Sequence, residues 1–311
     1  MRLIPVFILL SAAILIGDPD PLPPESRVRP VKLVDLAAYS EGIVFDRDGT
    51  IFVSIRNPQV VLRLLPDGTP VPWLHLLIPN GHKILPDGTH WVAGEGTIVH
   101  VAPDGHVLDS VTSGPSGPLS QPNDIALDGH GGFYFTDPRF TREDRELRHS
   151  KVFYMDRQLR MTLVADSLCY PNGTVVRSDG RLLYVDDSCD SRVYGFPILG
   201  PGRLGARQLF ATIPDLGACS LDGMTLDASG RLYIAHYGCA RIVVLSPSGQ
   251  LLRRYAAGNQ LASNVAFGGA GLGDLYVTGA PGQKTGPGAI YRLRLGIRGR
   301  SSRALPLRWR H

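Results

Sequence analysis

Charged residues are scarce in this sequence, and hydrophobic runs long enough to span a membrane are lacking. Asp, Glu, Lys and Arg make up 19% of the 311 residues and leave a formal net charge of +4. So small an excess argues against nucleic-acid binding. The apolar stretch at residues 3–16 is shorter than the about 20 residues that a transmembrane helix needs. The 43% hydrophobic content excludes a disordered chain, and 36 Gly and 25 Pro indicate many tight turns.

The two ends of the chain differ in character from its middle. Arg2 followed by the apolar residues 3–16 has the pattern of an export signal. An uncleaved membrane anchor is the alternative, because no clear cleavage motif follows. We therefore expect an exported protein, periplasmic or extracellular, with a signal or anchor and a Pro-rich linker over residues 1–26. A folded domain over residues 27–296 and a basic, solvated tail over residues 297–311 would complete the chain.

Cysteine is rare, but its spacing is regular. The four cysteines are Cys169, Cys189, Cys219 and Cys239. The first and third lie three residues before Asn172 and Asp222, and the second and fourth lie 17 residues after the same two residues. In an oxidising compartment this regularity suggests disulfides, for which three connectivities are open. Four ordinary small residues in loops are the alternative.

Six short motifs recur along the chain, each with a polar residue followed about ten residues later by a hydrophobic strand. The polar positions are Glu41, His82, Asn123, Asn172, Asp222 and Asn264, and they are 41, 41, 49, 50 and 42 residues apart. The strands cover residues 51–53, 91–93, 133–135, 183–185, 232–234 and 275–277. A repeat of this length, with a glycine turn before its strands, is typical of a β-propeller.

The repeats predict an all-β protein, a six-bladed β-propeller. Because the six polar residues stand at the same point of the repeat, we expect them to converge around one end of the central channel. Residues 31–37 precede the first repeat and have no blade of their own. We expect them to pair with residues 289–295, so that strands from both termini close the ring and hide the sheet edges.

Four of the six polar residues are good oxygen ligands for a metal ion. Glu41 and Asp222 offer carboxylates, whereas Asn123 and Asn172 offer amide oxygens. Such a set favours a hard cation, and we expect one divalent metal ion, Ca²⁺, with Zn²⁺, Mg²⁺ or Mn²⁺ as alternatives. Asn264 is a further candidate, either as a ligand or as a group that supports the ligands or binds substrate. Taken singly, each of these residues could belong to an ordinary turn or surface.

His82 is the only histidine that the repeat places among these positions. A histidine beside a metal-bound substrate can act as the general base that activates water, since its pKa lies near neutrality. A hydrogen-bonded histidine in the channel wall is the alternative interpretation. Asp137, Asp187 and His236 end equivalent second strands on the same side, and we expect them to support the site.

Several phrases resemble the gluconolactonase and senescence-marker-protein family, in order and at blade spacing. They are Ser40-Glu41-Gly42, Gln121-Pro122-Asn123-Asp124, Tyr134-Phe135-Thr136-Asp137-Pro138, Pro171-Asn172-Gly173 and Leu221-Asp222-Gly223-Met224. The likeness covers residues 33–295. That family is similar in architecture to diisopropyl-fluorophosphatase and the paraoxonases. The resemblance implies a six-bladed propeller that holds a divalent metal ion, usually Ca²⁺, and hydrolyses lactones.

The resemblance also implies roles for individual residues. Glu41, Asn172 and Asp222 match the family's metal ligands, and Asp222 is also a proposed base there. Asn123 matches an asparagine that contacts metal or substrate. Gln121 stands where some sugar-lactone members have an arginine, so sugar-lactone specificity does not carry over directly. We treat Gln121 as a further substrate-binding candidate.

Together these observations predict a Ca²⁺-dependent hydrolase that opens lactones, with Asp222 or His82 as the base. His82 is similar in its placement to the channel histidine of the paraoxonases. Hydrolysis of organophosphates or aryl esters on the same metal site is one alternative, and a non-catalytic exported binding propeller is another. The expected partner is a small lactone or ester substrate. We expect no nucleic acid and no membrane contact beyond an N-terminal anchor, and we expect a monomer.

Overall fold

The computed structural model describes residues 21–214 and 219–300, which form six antiparallel sheets arranged as the blades of a propeller. From the innermost strand outward, blade 1 consists of Ser40–Phe45, Ile51–Ile55, Val60–Leu64 and Pro70–His75, blade 2 of His82–Ile84, His90–Gly94, Thr97–Val101 and Val107–Val111, and blade 3 of Ile125–Leu127, Phe133–Asp137, Ser150–Met155 and Met161–Leu168. Blade 4 consists of Pro171–Val176, Leu182–Asp187, Arg192–Gly200 and Gln208–Thr212, blade 5 of Ser220–Leu226, Leu232–Tyr237, Arg241–Leu245 and Leu251–Ala256, and blade 6 of Leu261–Gly268, Asp274–Ala280, Gly288–Arg294 and Val31–Leu36.

Six short elements lie outside this scheme. They are the strand Arg203–Leu204, the hairpin strands Ser113–Gly114 and Gly117–Pro118, the α-helix Arg142–Glu146 and the 3₁₀ helices Glu25–Arg27 and Ala270–Leu272. The α-helix lies in blade 3, between its second and third strands. No helix in the described ranges is both long and apolar enough to cross a membrane.

The ring closes as predicted, with one strand from near each end of the described chain. Val31 pairs with Arg292 and Leu36 pairs with Gly288, in an antiparallel register interrupted by one bulge. The innermost strand of each blade contacts that of the next, and the innermost strand of blade 6 contacts that of blade 1. The predicted six-bladed, all-β fold is therefore confirmed.

The turns between the first and second strands lie at the opposite end of the blades from the predicted site. In blade 1, the Asp46 side chain accepts hydrogen bonds from the backbone N–H groups of Asp48 and Thr50, both at 2.9 Å. Gly49 has a φ of 83°, which an L side chain adopts only with strain. Asp46 and Gly49 thus form the turn, and the sequence suggested such a glycine turn before each strand.

Apolar side chains fill the spaces between neighbouring blades. Between blades 5 and 6, for example, the rings of Tyr233 and Phe267 meet edge to face with centroids 5.1 Å apart, in a cluster of buried residues. The described part of the expected linker joins this cluster. Leu22 and Val28 are buried there, and the Tyr255 hydroxyl donates to the Pro23 carbonyl at 2.7 Å.

The expected signal or anchor at residues 1–20 and the tail residues 301–311 lie outside the described residues, so the domain boundaries stay a prediction. The last described residues pair with blade 5. The Arg300 N–H donates to the Leu226 carbonyl at 3.0 Å, and the Ala228 N–H donates to the Arg298 carbonyl at 2.9 Å.

Candidate active site

Bulges in the innermost strands turn the predicted ligands into the channel. In blades 1, 4 and 5, the pairing between the first and second strands skips two residues, of which the first is Glu41, Asn172 or Asp222. Bulges of this kind re-aim a side chain and are common beside active sites. The second skipped residue is a glycine each time, and a Cβ at Gly173 would lie 2.4 Å from the Asp222 carbonyl oxygen. Glycine is therefore needed because the next blade approaches so closely.

These side chains meet in one pocket of about 230 Å³ at the end of the channel. Glu41, Asn123, Asn172 and Asp222 all contribute to its lining, and each is 4–7% exposed. The remaining lining residues come from loops and strand ends: Tyr39, Arg56, Phe140, Arg145, Tyr170, Ser188, Cys189, Ser220, Tyr237 and Lys284. Four predicted ligands therefore converge as the repeat suggested.

Two oxygens of the candidate ligands have no hydrogen-bond partner among the described residues. The Tyr39 hydroxyl donates to Glu41 Oε1 at 2.8 Å, but Glu41 Oε2 and Asn172 Oδ1 are buried and make no hydrogen bond within the described part of the chain. Leaving a buried oxygen unpaired costs about 1–3 kcal/mol, and more when it is charged. Two carboxylates with two amide oxygens are the donors that a hard divalent cation prefers. The residues present therefore fit the predicted metal ion.

The electrostatics of the pocket also favour a bound cation. Burial raises the pKa of Glu41, and the nearby Arg56 opposes that rise. Burial and the neighbouring Glu41 raise the pKa of Asp222 well above its usual value. Two carboxylates that face each other in a buried pocket resist ionising together, and a bound cation would favour the ionised form of both.

Aspartates at the ends of second strands hold the loops that lead to two of the ligands. Asp137 accepts hydrogen bonds from the backbone N–H groups of Ser120 at 3.0 Å and Gln121 at 2.8 Å. Asp187 accepts from the two corresponding groups of blade 4 at 3.0 and 2.7 Å. Burial raises the pKa of Asp137 to about 6. His236 occupies the equivalent position of blade 5, opposite Leu221.

Each of two neighbouring blades contains one disulfide. Cys169 bonds to Cys189 and Cys219 bonds to Cys239, which selects one of the three connectivities. Each bridge joins the loop that precedes a ligand to the loop that follows the second strand of the same blade. The bridges therefore brace the approaches to Asn172 and Asp222.

His82 does not line the pocket, so the expectation that it lies with the other polar residues at the channel mouth is wrong. The backbone register shows why: the Asn80 N–H donates to the Ala93 carbonyl at 2.8 Å, as the Asn123 N–H does to Thr136 in the next blade. Asn80 is therefore the equivalent of the ligands in blade 2, and His82 lies two residues further along the strand.

The surroundings of His82 are those of a core residue. The ring stacks on Trp73 with centroids 5.8 Å apart, and Nε2 lies 2.7 Å from His90 Nδ1. Burial lowers the pKa of His82 well below its usual value. The alternative interpretation of His82, a hydrogen-bonded residue of the wall, describes this position.

Asn264 and Gln121 also lie away from the pocket lining. In blade 6, the skipped residues are Ser263 and Asn264, so Ser263 is equivalent to the ligands and Asn264 lies one layer deeper. There the Asn264 amide oxygen accepts the N–H of Val265 at 2.9 Å. Gln121 belongs to the loop that Asp137 holds. Neither residue lines the pocket. The Asn264 side chain lies against Gly223, the residue after Asp222, which fits its alternative as a group that supports the ligands.

Two buried carboxylates beneath the ligands were missed from the sequence. Asp124 Oδ1 lies 3.2 Å from the Lys83 ammonium, and Oδ2 accepts the Thr174 N–H at 3.1 Å. Asp186 is fully buried, and burial, with Asp222 nearby, raises its pKa well above the usual value. The signal available was position: both residues directly adjoin motif residues.

Asp186 takes a place that hydroxyl groups occupy in other blades. In blades 1 and 3, Ser54 and Thr136 donate from this position to a backbone carbonyl of the following blade, both at 2.7 Å. A Cβ on Gly173 would lie 2.8 Å from Asp186 Oδ2 and 2.4 Å from the Asp222 carbonyl, so these two oxygens lie near one another. A protonated Asp186 can donate there as the hydroxyl groups do.

Comparisons with known proteins agree with this fold. A gluconolactonase from Zymomonas mobilis is 30% identical over 266 residues, which cover 75% of this chain and 74% of that protein. A diisopropyl-fluorophosphatase from Loligo vulgaris is 28% identical over 138 residues, 41% of this chain and 44% of that protein. The solved structure of a gluconolactonase from Xanthomonas campestris matches with a TM-score of 0.73 and 27% identity, covering 87% of this chain and 91% of that one.

The family assignment rests on most of the folded chain. A family model described as SMP-30/Gluconolactonase/LRE-like region matches residues 39–281, a span that includes the pocket ligands of blades 1, 3, 4 and 5. The protein belongs to the SMP-30/gluconolactonase/LRE-like family.

Proposed function

We propose that this protein is a Ca²⁺-dependent hydrolase that opens lactones. The observation that carries the proposal is the convergence of Glu41, Asn123, Asn172 and Asp222 in one buried pocket, with unpaired oxygens on Glu41 and Asn172. The similarity to gluconolactonases from Zymomonas mobilis and Xanthomonas campestris supports lactones as the substrate class.

In this proposal Glu41, Asn172 and Asp222 hold the ion, and Asn123 binds either the ion or the substrate. When bound, Ca²⁺ supplies a Lewis acid that polarises the ester carbonyl. Tyr39 fixes the Glu41 carboxylate through Oε1 and leaves Oε2 directed away from that bond. All-oxygen donors favour Ca²⁺ over Zn²⁺, for which Cys and His are the usual ligands.

Asp222 is the residue that we assign as the acceptor of the proton from water. Its Oδ1 accepts a hydrogen bond from the Gly223 N–H at 3.0 Å, which leaves Oδ2 to accept the proton from water. His82 is unsuited to this role because its ring is packed against Trp73 and His90 and does not line the pocket.

We also propose that the protein works in an oxidising compartment, periplasmic or extracellular. Its two disulfides support export, since such bonds are rare in cytosolic proteins. Cysteine-specific mass spectrometry of the native protein tests this proposal. Two intact bridges are expected, and four alkylatable thiols would contradict it.

A second candidate, hydrolysis of aryl esters or organophosphates, is favoured by the aromatic lining of the pocket. Tyr39, Phe140, Tyr170 and Tyr237 all contribute to the wall, and aromatic faces suit aryl groups. Similarity to the diisopropyl-fluorophosphatase of Loligo vulgaris supports the same candidate.

One experiment separates these candidates. Purified protein loaded with Ca²⁺, and the same protein after chelation, are supplied with sugar, aliphatic and aryl lactones, aryl esters and a fluorophosphate, and acid release is recorded. We expect Ca²⁺-dependent opening of at least one lactone class. Turnover restricted to esters or fluorophosphates would favour the second candidate. Tight Ca²⁺ binding without turnover of any of these compounds would indicate a non-catalytic binding propeller.

A further inference from the structure

Three cationic side chains surround the mouth of the pocket, each supplied by a different segment. Arg56 follows the second strand of blade 1, Arg145 lies on the α-helix of blade 3, and Lys284 lies in the loop after the second strand of blade 6. None of the three forms an ion pair with a carboxylate in the described ranges. Their charges are thus available to a bound molecule.

Aromatic rings position two of these cations at the rim. The Arg145 guanidinium lies 4.9 Å from the centre of the Tyr170 ring. The Lys284 ammonium lies 5.4 Å from the centre of the Tyr39 ring and 5.9 Å from that of Tyr237. Such contacts hold a cation in place without neutralising it.

The charge of the pocket exceeds what metal binding requires. Glu41 and Asp222 contribute two negative charges, which a divalent ion balances. Arg56, Arg145 and Lys284 then leave the pocket with three uncompensated positive charges. An uncharged lactone would leave all three without a partner, although charged groups that line a concave site steer and orient ligands of opposite charge.

We propose that the substrate carries an anionic group, a carboxylate or a phosphate, in addition to its lactone ring, and that Arg56, Arg145 and Lys284 recognise that group. This inference rests on the proposed lactonase function. It assigns the oxygen-rich floor of the pocket to the ester and the cationic rim to the anionic substituent. Arginine suits the planar oxygens of either group, and lysine adds a point charge.

The test compares lactones of one sugar series that differ chiefly in the group at C6. D-glucono-δ-lactone is neutral, its 6-phosphate carries a phosphate, and a lactone of glucaric acid carries a carboxylate. We expect kcat/KM to be at least about tenfold higher for one of the anionic lactones, because a charge-assisted contact is worth that much. The anionic lactone that gains more identifies the group recognised, and the gain shrinks as ionic strength rises.

Variants of the rim connect the preference to these residues. In Arg145→Gln and Lys284→Met, the ratio of kcat/KM between anionic and neutral lactones falls about tenfold. Arg142→Gln is the matched control on the same helix, because Arg142 is exposed, pairs with Glu146 at 2.7 Å and lies outside the pocket. That control keeps the wild-type ratio.

The outcomes distinguish this inference from the lactonase proposal. If neutral and anionic lactones are opened equally well, or the variants keep the ratio, the inference is overturned while the lactonase function stands. If no lactone is opened, that function fails, and calorimetry of neutral glucose against glucose 6-phosphate and glucuronate with Ca²⁺-loaded protein decides the inference. Preferential binding of an anionic sugar that is lost in Lys284→Met supports it, and equal binding overturns it.

Discussion

The two ends of the central channel are built from the same six strands yet differ in chemistry. At one end lies the polar pocket of Glu41, Asn172 and Asp222, of about 230 Å³. At the other lies a larger cavity of about 350 Å³, lined mainly by aliphatic side chains such as Val176 and Met224 and crossed by residues 298–300. Volume therefore does not mark the site. Buried oxygens without partners mark it, because they are costly unless a ligand satisfies them.

The position of a residue along its strand explains the difference. In blades 1, 4 and 5 the innermost strand starts at the polar end, where a bulge lets a pocket side chain face the axis, and it continues with mainly apolar residues in regular pairing. In blade 1 Glu41 lies in the bulge, whereas Ile43 and Val44 pair with the second strand. The fold thus separates the end that contains the candidate site from the end that contributes packing.

Removal of a carboxylate from the polar end should affect Ca²⁺ binding and catalysis most. We expect Asp222→Asn to weaken Ca²⁺ binding and to lower kcat/KM by about 10³-fold or more, since both metal charge balance and the proton acceptor are lost. Calcium titration calorimetry and lactone hydrolysis measure the two effects. Asp48→Asn, an exposed carboxylate at the far-end turn, is the control and keeps both properties. Unchanged Ca²⁺ binding in Asp222→Asn would show that the ligand set is misassigned.

At the apolar end, substitutions act on stability and spare the chemistry. Met224 is buried and packs with residues of blades 4 and 5. We expect Met224→Ala to lower the free energy of unfolding by about 2–5 kcal/mol through lost packing, while kcat of the folded, metal-loaded enzyme stays near wild type. Chemical denaturation and activity per folded molecule test both parts. A large loss of kcat without loss of stability would show that the apolar end takes part in the reaction.

Protons should compete with Ca²⁺ for the two carboxylates at the polar end. The pKa values of Glu41 and Asp222 are raised, chiefly by burial, so both carboxyls protonate at a pH above their ordinary range of about 4. A protonated carboxyl cannot bind the ion, and Ca²⁺ affinity should therefore fall as pH decreases. The expected slope is up to about tenfold per pH unit for each proton displaced. Calorimetry from pH 8 to pH 5 measures it, and a flat profile down to pH 5 would contradict the raised values.

The smallest expected effect concerns His82, which lies in the wall between blades 1 and 2. His82→Asn should cost stability, because the ring packs on Trp73 and bonds to His90. Among properly folded, Ca²⁺-loaded molecules we expect kcat to stay within about threefold of wild type. A loss of about 10²–10⁴-fold without unfolding would restore His82 as the general base.

The sequence predicted the blade count, the ring closure and the convergence of the four candidate oxygen ligands, because each depends on a repeated pattern. It misplaced His82 and Asn264 by two residues and one residue, since spacing along the chain does not reveal where a bulge shifts the backbone. Asn80 and Ser263 hold the equivalent positions. The repeat pattern did not predict the rim cations, because they lie in segments that the blades do not share. The helix that carries Arg145 is an example.

The most direct test of the account is a crystal structure of the Ca²⁺-loaded protein. We expect one ion at the polar end, with Glu41 Oε2, Asn172 Oδ1 and an Asp222 carboxylate oxygen within about 2.3–2.6 Å of it. Water or substrate would complete its coordination. An ion bound only at the Asp-Gly turns of the far end, or a pocket that stays metal-free in saturating Ca²⁺ at neutral pH, would contradict it.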